Sequence, residues 1–331
     1  MTVERNVSWR KERDPQHGLE FIILGCRDAV DRANNLEAWI TPSHGSNLCR
    51  FSVGGRNIID FDPELWMKSD FTGTPVLYPT PNKVRNGIIR CHGRNYPQVK
   101  RGLPIYEHGL VHDEPWEYQE PETDGDSVRL RTWIDFDDSS ALFQTFPFEH
   151  RLTLEFCLGS QGVKVTYTIE NWDDRAIPFG FGLHPYFMKL SGEAGTYVKL
   201  PAAYVMDATP DLLPTGKLVD VSGTCFDLRE KKNIGALDFD HVFTGLAAEE
   251  YAQVEYTSMN LSVKMVSTDD FSHLVLYSPR GANYFCLENQ TCSTDAHNLY
   301  DRGFKTQSGL RFVQPGETHS GSVTYLVIKG R

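Results

Sequence analysis

The sequence has little positive charge and no long apolar run. Its 33 Lys and Arg residues are outnumbered by 44 Asp and Glu residues, which gives a formal net charge of -11. A nucleic-acid groove needs a basic surface for its phosphate contacts, so this composition argues against nucleic-acid binding. The N-terminus is polar and lacks the apolar core of a signal peptide, and the run 21–24 is far too short to span a bilayer. We therefore expect a soluble cytoplasmic protein without a membrane partner, either a monomer or a homodimer.

Paired cysteines and cofactor motifs are also missing. The seven cysteines are an odd number and contain no CxxC pair, so neither a zinc knuckle nor a disulfide framework is indicated. The phosphate-binding GxGxxG and GxxxxGK loops, the GxSxG nucleophile elbow and the HExxH metal motif do not occur. The sequence therefore predicts no nucleotide cofactor and no metal.

Strand patterns dominate what is present. Apolar residues alternate along 152–158 and again along 163–169, with Ser160-Gln161-Gly162 between them, which predicts a hairpin with one buried face. Similar runs occur at 21–24, 128–136, 254–257, 261–266, 273–277 and 322–328. Helical periodicity is scarce, although 63–69 and 247–251 could each form a short helix. We expect an all-β fold in which two large antiparallel sheets pack as one β-sandwich domain over residues 1–331.

One stretch, Phe179-Gly-Phe-Gly-Leu-His-Pro-Tyr-Phe187, places a histidine among aromatic rings. Proline disfavours the helical region for the residue before it, so His184 is expected to be extended. Tyr186 and its aromatic neighbours offer a flat apolar surface of the kind on which a sugar ring stacks. A buried β-bulge with a satisfied histidine explains the same residues equally well.

A second stretch, Tyr106 to Trp116, contains His108 and His112. On a helix their spacing would place both rings on one face as metal ligands. Gly109 and a proline before Trp116 disfavour that helix, so we expect a loop, with Trp116 at the rim of a binding cleft.

The loop from Pro75 to Gly87 is stiffened by three prolines. Asn82, Lys83 and Arg85 then present amide and cationic donors from a fixed position, which suits the recognition of hydroxyl groups. A rigid exposed loop with solvated charges is the alternative.

Two carboxylates complete the set of candidates. Glu288 follows a strand that reads as buried, where a carboxylate needs a partner or a raised pKa, as general bases often have. Asp240 lies beside His241 in an apolar setting and could accept hydrogen bonds from a ligand. A structural salt bridge for Glu288 and a plain turn at Asp240 remain the alternatives.

Taken together, these motifs resemble the aldose 1-epimerase (galactose mutarotase-like) superfamily over approximately residues 70–320. The family's motifs appear in order: the loop Pro81 to Gly87, His108-Gly109 with Trp116 downstream, His184-Pro-Tyr-Phe187, Leu213-Pro-Thr-Gly216, Asp240-His241, Glu288 with Thr291, and Gln314-Pro-Gly-Glu317. The resemblance implies a large β-sandwich that interconverts the α and β anomers of a free sugar without a cofactor.

The resemblance also implies a role for each candidate. Glu288 would be the base and His184 the acid, as an ionised carboxylate beside a protonated imidazole. His108 would hydrogen-bond near the ring oxygen, and Asp240 would hold hydroxyl groups. The remaining substrate-binding candidates are Asn82, Lys83, Arg85, Trp116 and Tyr186.

This chain departs from the family pattern at the loop, where Lys83 replaces an arginine and Arg85 follows two residues later. Lysine lacks the bidentate fork of arginine, so either residue could serve that corner of the site. A hexose-6-phosphate 1-epimerase is one alternative, with Lys83, Arg85, Arg90 and His112 as phosphate ligands. A non-catalytic sugar-binding protein is a second alternative, and a polysaccharide lyase or hydrolase domain is a third.

Overall fold

Antiparallel strands make up most of the molecule. The computed structural model describes residues 5–68 and 71–330. In chain order its strands are β1 (Arg5–Asp14), β2 (Leu19–Asp28), β3 (Leu36–Thr41), β4 (Asn47–Val53), β5 (Arg56–Ile59), β6 (Val76–Leu77), β7 (Ile88–Cys91), β8 (Arg94–Pro97), β9 (Val99–Lys100), β10 (Leu103–Pro104), β11 (Glu117–Tyr118), β12 (Glu122–Asp124), β13 (Ser127–Phe136), β14 (His150–Gly159), β15 (Gly162–Asn171), β16 (Ile177–Phe179), β17 (Gly182–Leu183), β18 (Tyr186–Met188), β19 (Thr196–Lys199), β20 (Ala202–Ala208), β21 (Pro214–Asp220), β22 (Lys232–Asn233), β23 (Asp240–Leu246), β24 (Ala252–Tyr256), β25 (Leu261–Ser267), β26 (His273–Tyr277), β27 (Tyr284–Gln290), β28 (Arg311–Val313) and β29 (Thr318–Lys329).

The helices within the described residues are few and short. They are α1 (Pro63–Met67), α2 (Gly192–Gly195), α3 (Ala296–Asp301) and α4 (Lys305–Ser308), with 3-10 turns at Arg32–Asn34, Arg85–Gly87, Ile234–Ala236 and Thr257–Met259. None of these helices is long and apolar enough to cross a membrane.

Two large sheets face each other, which confirms the predicted fold class. The first runs β1-β2-β3-β4-β5-β18-β27-β26-β23-β20-β21, with β17 paired to β27 and β6 paired to β17, and the second runs β11-β13-β14-β15-β29-β25-β24-β19-β22. Their inner faces form one apolar cluster that extends from Ile22 to Tyr325. Across it, the ring of Phe187 in the first sheet lies 6.2 Å from that of Tyr325 in the second. The core is therefore the space between the two sheets.

The clearest predicted hairpin is confirmed. Strands β14 and β15 pair from Gly159↔Gly162 onward, and buried residues alternate along β14. Gly162 has a φ of 147°, and a Cβ there would lie 2.0 Å from the carbonyl oxygen of Tyr325. Only glycine fits this close approach to the neighbouring strand.

The helix predictions had mixed outcomes. Helix α1 begins at Pro63 as expected, capped by Asp62, whose carboxylate accepts from the Glu64 amide at 2.9 Å; Ser69, the last residue of the predicted helix, lies outside the described residues. The helix predicted over 247–251 is wrong, since those residues form a turn between β23 and β24. Glu249 has a φ of 63° there, in the left-handed region that a right-handed helix excludes.

Candidate functional site

A break in one strand brings His184 and Glu288 together. Strand β17 pairs with β27 through Leu183↔Asn289, and β18 resumes the pairing at Tyr186↔Cys286. The register is unchanged across the gap, so His184 lies directly opposite Glu288, where cross-strand side chains meet. Pro185 has no N–H for the ladder, and the His184 N–H donates instead to the Pro75 carbonyl oxygen at 3.1 Å. The interruption therefore positions the side chain of His184.

The two side chains form a buried contact. The Nε2 atom of His184 lies 3.3 Å from Oε1 of Glu288, and the two residues are only 6% and 2% exposed. The other carboxyl oxygen, Oε2, accepts a hydrogen bond from Gln290 Nε2 at 2.8 Å. In the described chain the Nδ1 atom of His184 and the Oε1 atom of Gln290 are buried without a hydrogen-bond partner. Unsatisfied groups of this kind are costly in a core, so they call for a functional explanation.

Burial opposes charge on both members of this pair. It raises the pKa of Glu288 well above its ordinary value, against the hydrogen bond from Gln290, while the negative charge of Asp240 raises it further. Burial also lowers the pKa of His184 to about 4. The sequence led us to expect an ionised carboxylate and a protonated imidazole, whereas burial favours the neutral forms. Both states carry no net charge, so they differ by the position of one proton between two adjacent atoms.

His108 reaches the same place from a tight turn. Its φ is 63°, its N–H donates to the Asn82 carbonyl oxygen at 2.9 Å, and its ring centroid lies 5.2 Å from that of His184. Burial, followed by the charge of His184, lowers the pKa of His108 well below its ordinary value. Gly109 follows with a φ of 73°, and a Cβ there would lie 2.2 Å from the Tyr78 carbonyl oxygen.

Because this stretch forms a turn, His108 and His112 do not lie on a helix. His108 and His112 do not share a helix face, and instead both rings lie against Phe71, at 4.7 and 4.8 Å between centroids. Among residues 5–68 and 71–330, no group of three His, Cys, Asp or Glu side chains could hold a metal ion.

The loop cations occupy different positions. Arg85 Nε lies 3.5 Å from Oδ2 of the buried Asp295, whose Oδ1 accepts from the Arg85 N–H at 3.0 Å. Lys83 Nζ lies 3.9 Å from Glu107 Oε2. Its positive charge adds to the burial that lowers the pKa of His108, and it opposes the burial that raises the pKa of Asp240. Lys83 therefore acts on the candidate site, whereas Arg85 anchors its loop to the segment around Asp295.

Asp240 begins β23 at the mouth of a cleft. The residue is solvent-exposed, yet the cleft walls displace enough water to raise the pKa of its carboxyl group, against the attraction of Lys83. Asn82 and His241 border the same cleft, whose volume is ≈ 220 Å³. The structure thus brings Asn82 and Asp240 to one opening beside the buried pair.

The two aromatic candidates, Tyr186 and Trp116, lie in different surroundings. Tyr186 stacks on His184, with ring centroids 5.1 Å apart and planes 18° from parallel. Trp116 is 5% exposed within the hydrophobic core, and its indole N–H donates to the Val111 carbonyl oxygen at 3.3 Å. The prediction that Trp116 lies at the cleft rim is wrong. The chain around it folds inward, and the backbone N–H of Trp116 donates to the Pro42 carbonyl oxygen.

Two neighbours of the pair were missed at the level of sequence. Gln290 is two residues beyond Glu288 on one strand, so the alternation of strand side chains places both on one face and could have identified it. Phe71 contacts His108, His112 and His184. No local pattern marks it, since these three histidines are distant from it in the chain.

These groups have the properties needed to move protons. A buried carboxyl group lies 3.3 Å from an imidazole, a second imidazole lies beside them, and hydrogen-bonding groups line the adjacent opening. Paired titratable groups whose surroundings shift both pKa values are typical of acid/base sites.

Comparisons with known proteins agree with this description. The family model described as "Aldose 1-epimerase" matches residues 30–326. A curated relative in Escherichia coli (strain K12), named "Uncharacterized protein YihR", is 25% identical over 253 residues, 74% of this chain and 75% of that protein. A galactose mutarotase-like protein from Clostridium acetobutylicum shares the fold with a TM-score of 0.81 and 21% identity, over 98% of this chain and 99% of that one. Galactose 1-epimerase from Lactobacillus acidophilus NCFM has a TM-score of 0.74 and 18% identity, over 100% of both chains.

Proposed function

The chain belongs to the aldose 1-epimerase family, and we propose that it catalyses the interconversion of the α and β anomers of a free aldose. The observation that carries the proposal is the buried contact of 3.3 Å between His184 and Glu288. A carboxyl and an imidazole at this distance supply the two groups that ring opening requires, one to accept a proton and one to donate a proton.

In the proposed reaction Glu288 takes the proton of the C1 hydroxyl while His184 donates a proton to the ring oxygen. The bond between C1 and the ring oxygen breaks, and the aldehyde forms. Rotation about the bond from C1 to C2 turns the other face of the aldehyde toward the hydroxyl that formed from the ring oxygen. On closure this hydroxyl returns its proton to His184, and Glu288 returns its proton to the C1 oxygen. The reaction therefore consumes no co-reactant.

The neighbouring residues have supporting roles in this proposal. His108 hydrogen-bonds near the ring oxygen, and Asp240, Asn82 and Lys83 hold hydroxyl groups at the opening. The Gln290 amide donates to Glu288 and thereby stabilises the ionised carboxylate against the cost of burial. A hydroxyl donating from the substrate would add to that stabilisation and favour transfer of the shared proton to His184.

The charges around the opening favour a free sugar over a phosphorylated one. Arg85 is held by Asp295, and burial lowers the pKa of His112 to about 4, so its ring is neutral at pH 7. Asp240 adds a negative charge that would repel a phosphate. Of the cations proposed as phosphate ligands, Lys83 is the one whose charge acts on both Asp240 and His108.

A panel of anomerically pure aldoses and aldose 6-phosphates, followed by polarimetry, tests this proposal. We expect the protein to accelerate the equilibration of a free aldose such as α-glucose or α-galactose. Acceleration of the 6-phosphates alone would favour the hexose-6-phosphate alternative. Sugar binding detected on the anomeric protons by NMR, with no acceleration for any sugar, would favour a non-catalytic sugar-binding protein.

A further inference from the structure

The cleft beside Asp240 lies next to the proposed reacting site, since the charge of Asp240 acts on Glu288 and the Asn82 carbonyl oxygen accepts from the His108 N–H at 2.9 Å. Its volume of ≈ 220 Å³ lies just below the range of ~300–1,000 Å³ that holds drug-sized ligands. Asn82 and Asp240 line this cleft and are also the residues to which the proposed reaction assigns hydroxyl binding. The far wall comes from β20, β21 and the loop between them, which the proposed reaction does not use; these residues include Met206, Asp207, Ala208, Thr209 and Leu212.

The walls of this outer cleft are held in place by their own contacts. In the loop between β20 and β21 the Thr209 N–H donates to the Leu213 carbonyl oxygen at 2.9 Å, and the Thr209 hydroxyl donates to the same oxygen at 3.0 Å. On the opposite side the ring of Phe226 lies 4.8 Å from that of His241. The outer cleft is therefore preformed, which reduces the ordering cost of binding.

Its lining combines apolar surface with polar groups available to a ligand. Met206 and Phe226 supply apolar area, including an aromatic ring. Thr294, only 1% exposed, also lines the outer cleft, and its Oγ1 atom is buried without a hydrogen-bond partner in the described chain. A buried hydroxyl normally finds a partner, so this one points to a polar ligand group.

The charged side chains that line the outer cleft are carboxylates, which disfavours an anionic occupant. Asp207 and Asp240 both line the outer cleft, and Asp207 accepts a hydrogen bond from the Thr215 hydroxyl at 2.8 Å. Burial lowers the pKa of His241, so at neutral pH its ring does not offset these carboxylates. A phosphate, sulfate or carboxylate would be repelled, whereas an uncharged group rich in hydroxyls would find both acceptors and apolar surface.

We propose that the outer cleft binds a second, uncharged sugar ring joined to a non-anomeric hydroxyl of the reacting sugar, so that the preferred substrates are reducing disaccharides. This inference rests on the proposed function, because it places the reacting ring at His184 and Glu288. The second ring lies against Phe226 and hydrogen-bonds to Asp207 and Thr294.

Calorimetric titration tests the outer cleft without relying on catalysis. Glucose and galactose are compared with reducing disaccharides of different linkage: maltose, cellobiose, isomaltose, lactose and melibiose. We expect at least one disaccharide to bind about 10-fold tighter than the monosaccharide at its reducing end. Ala208→Leu, which fills the outer cleft, should remove this gain and leave the monosaccharide affinity unchanged. Ala248→Leu makes the same change in an exposed turn away from the cleft and should keep the gain.

The outcomes separate this inference from the proposed function. The outer subsite is overturned if no disaccharide binds tighter than its monosaccharide, or if a folded Ala208→Leu protein keeps the gain; Phe226→Leu provides a second variant for the same comparison. If wild-type protein shows the disaccharide gain but exchanges no anomers of any sugar, the subsite stands and the proposed catalysis fails.

Discussion

Two buried histidines in this molecule differ in their hydrogen bonding. His150 is 0% exposed and His184 is 6% exposed, and burial lowers the pKa of each to about 4. Both ring nitrogens of His150 have partners, at 2.7 Å to the Tyr78 hydroxyl and at 2.8 Å to the Phe148 carbonyl oxygen. His184 has Glu288 at one nitrogen and, in the described residues, no partner at the other.

The difference shows which properties identify a reactive group. Burial and a shifted pKa are common to both residues, so neither property distinguishes the histidine that we propose to be catalytic from the structural one. The adjacent carboxyl group and the unsatisfied nitrogen are found at His184. A complete set of hydrogen bonds holds His150 in place, whereas an incomplete set leaves His184 able to act on a ligand.

The anomer exchange rate should fall most when the carboxyl group of Glu288 is removed, since His184 has this neighbour, whereas the ring nitrogens of His150 are bonded to a hydroxyl and a carbonyl oxygen. Glu288→Gln should slow anomer exchange by about 10²–10⁴-fold, because an amide cannot accept the C1 proton. The same change should leave the melting temperature at pH 7 unchanged or raise it by about 1–3 °C, since it removes a carboxylate that burial disfavours. Glu155→Gln, on the second sheet, is the matched control and should change neither quantity. A Glu288→Gln protein that kept near wild-type exchange would refute the assigned base.

The next effect acts on the structural histidine. Tyr78→Phe leaves Nε2 of His150 without its partner, which should reduce the free energy of unfolding by about 1–3 kcal/mol. Exchange per folded molecule should be unchanged. The double variant Tyr78→Phe/His150→Phe should be less destabilised than the two single variants together, because both polar partners are removed. Denaturant unfolding measures the stabilities, and additive losses would show that the pair is not coupled.

A smaller effect is expected at the edge of the opening. Asp240→Asn should raise KM by about 5–10-fold with a lesser change in kcat, because it weakens a charged hydrogen bond to a hydroxyl while leaving the reacting pair in place. Initial rates over a range of sugar concentrations measure both constants. A fall in kcat as large as that of Glu288→Gln would move Asp240 into the chemistry.

The smallest effect is a shared dependence on pH. Both histidines have a folded pKa of about 4 and an unfolded value of 6.5. The unfolded chain therefore binds more protons between these values, so the stability that each neutral ring contributes is present above pH 6.5 and is lost as pH falls toward 4. Thermal unfolding between pH 7 and 4.5 should show this loss, and His150→Gln and His184→Gln should each make the dependence less steep. A variant with an unchanged slope would contradict the folded pKa assigned to that histidine.

Much of the fold and part of the site are readable in the sequence, because they rest on local patterns. Alternation along 152–158 and 163–169 predicts the central hairpin, and the ordered motifs contain Glu288, His184 and His108, which the structure brings together. Which histidines are satisfied is not readable, because the partner of His150 is Tyr78, 72 residues away in the chain. The same limit explains Trp116, whose motif position is like that of a cleft residue while its contacts with Pro42 and Val111 bury it.

The most direct measurement is the anomer exchange rate of His184→Gln and His150→Gln, obtained side by side by NMR at pH 7 on a sugar that the wild-type protein turns over, with the folded fraction of each determined in the same buffer. We expect His184→Gln to lose about 10²–10⁴-fold in rate while remaining folded, and His150→Gln to lose stability but keep its rate per folded molecule. Equal losses of rate in the two folded variants, or an active His184→Gln protein, would refute the proposed role of His184.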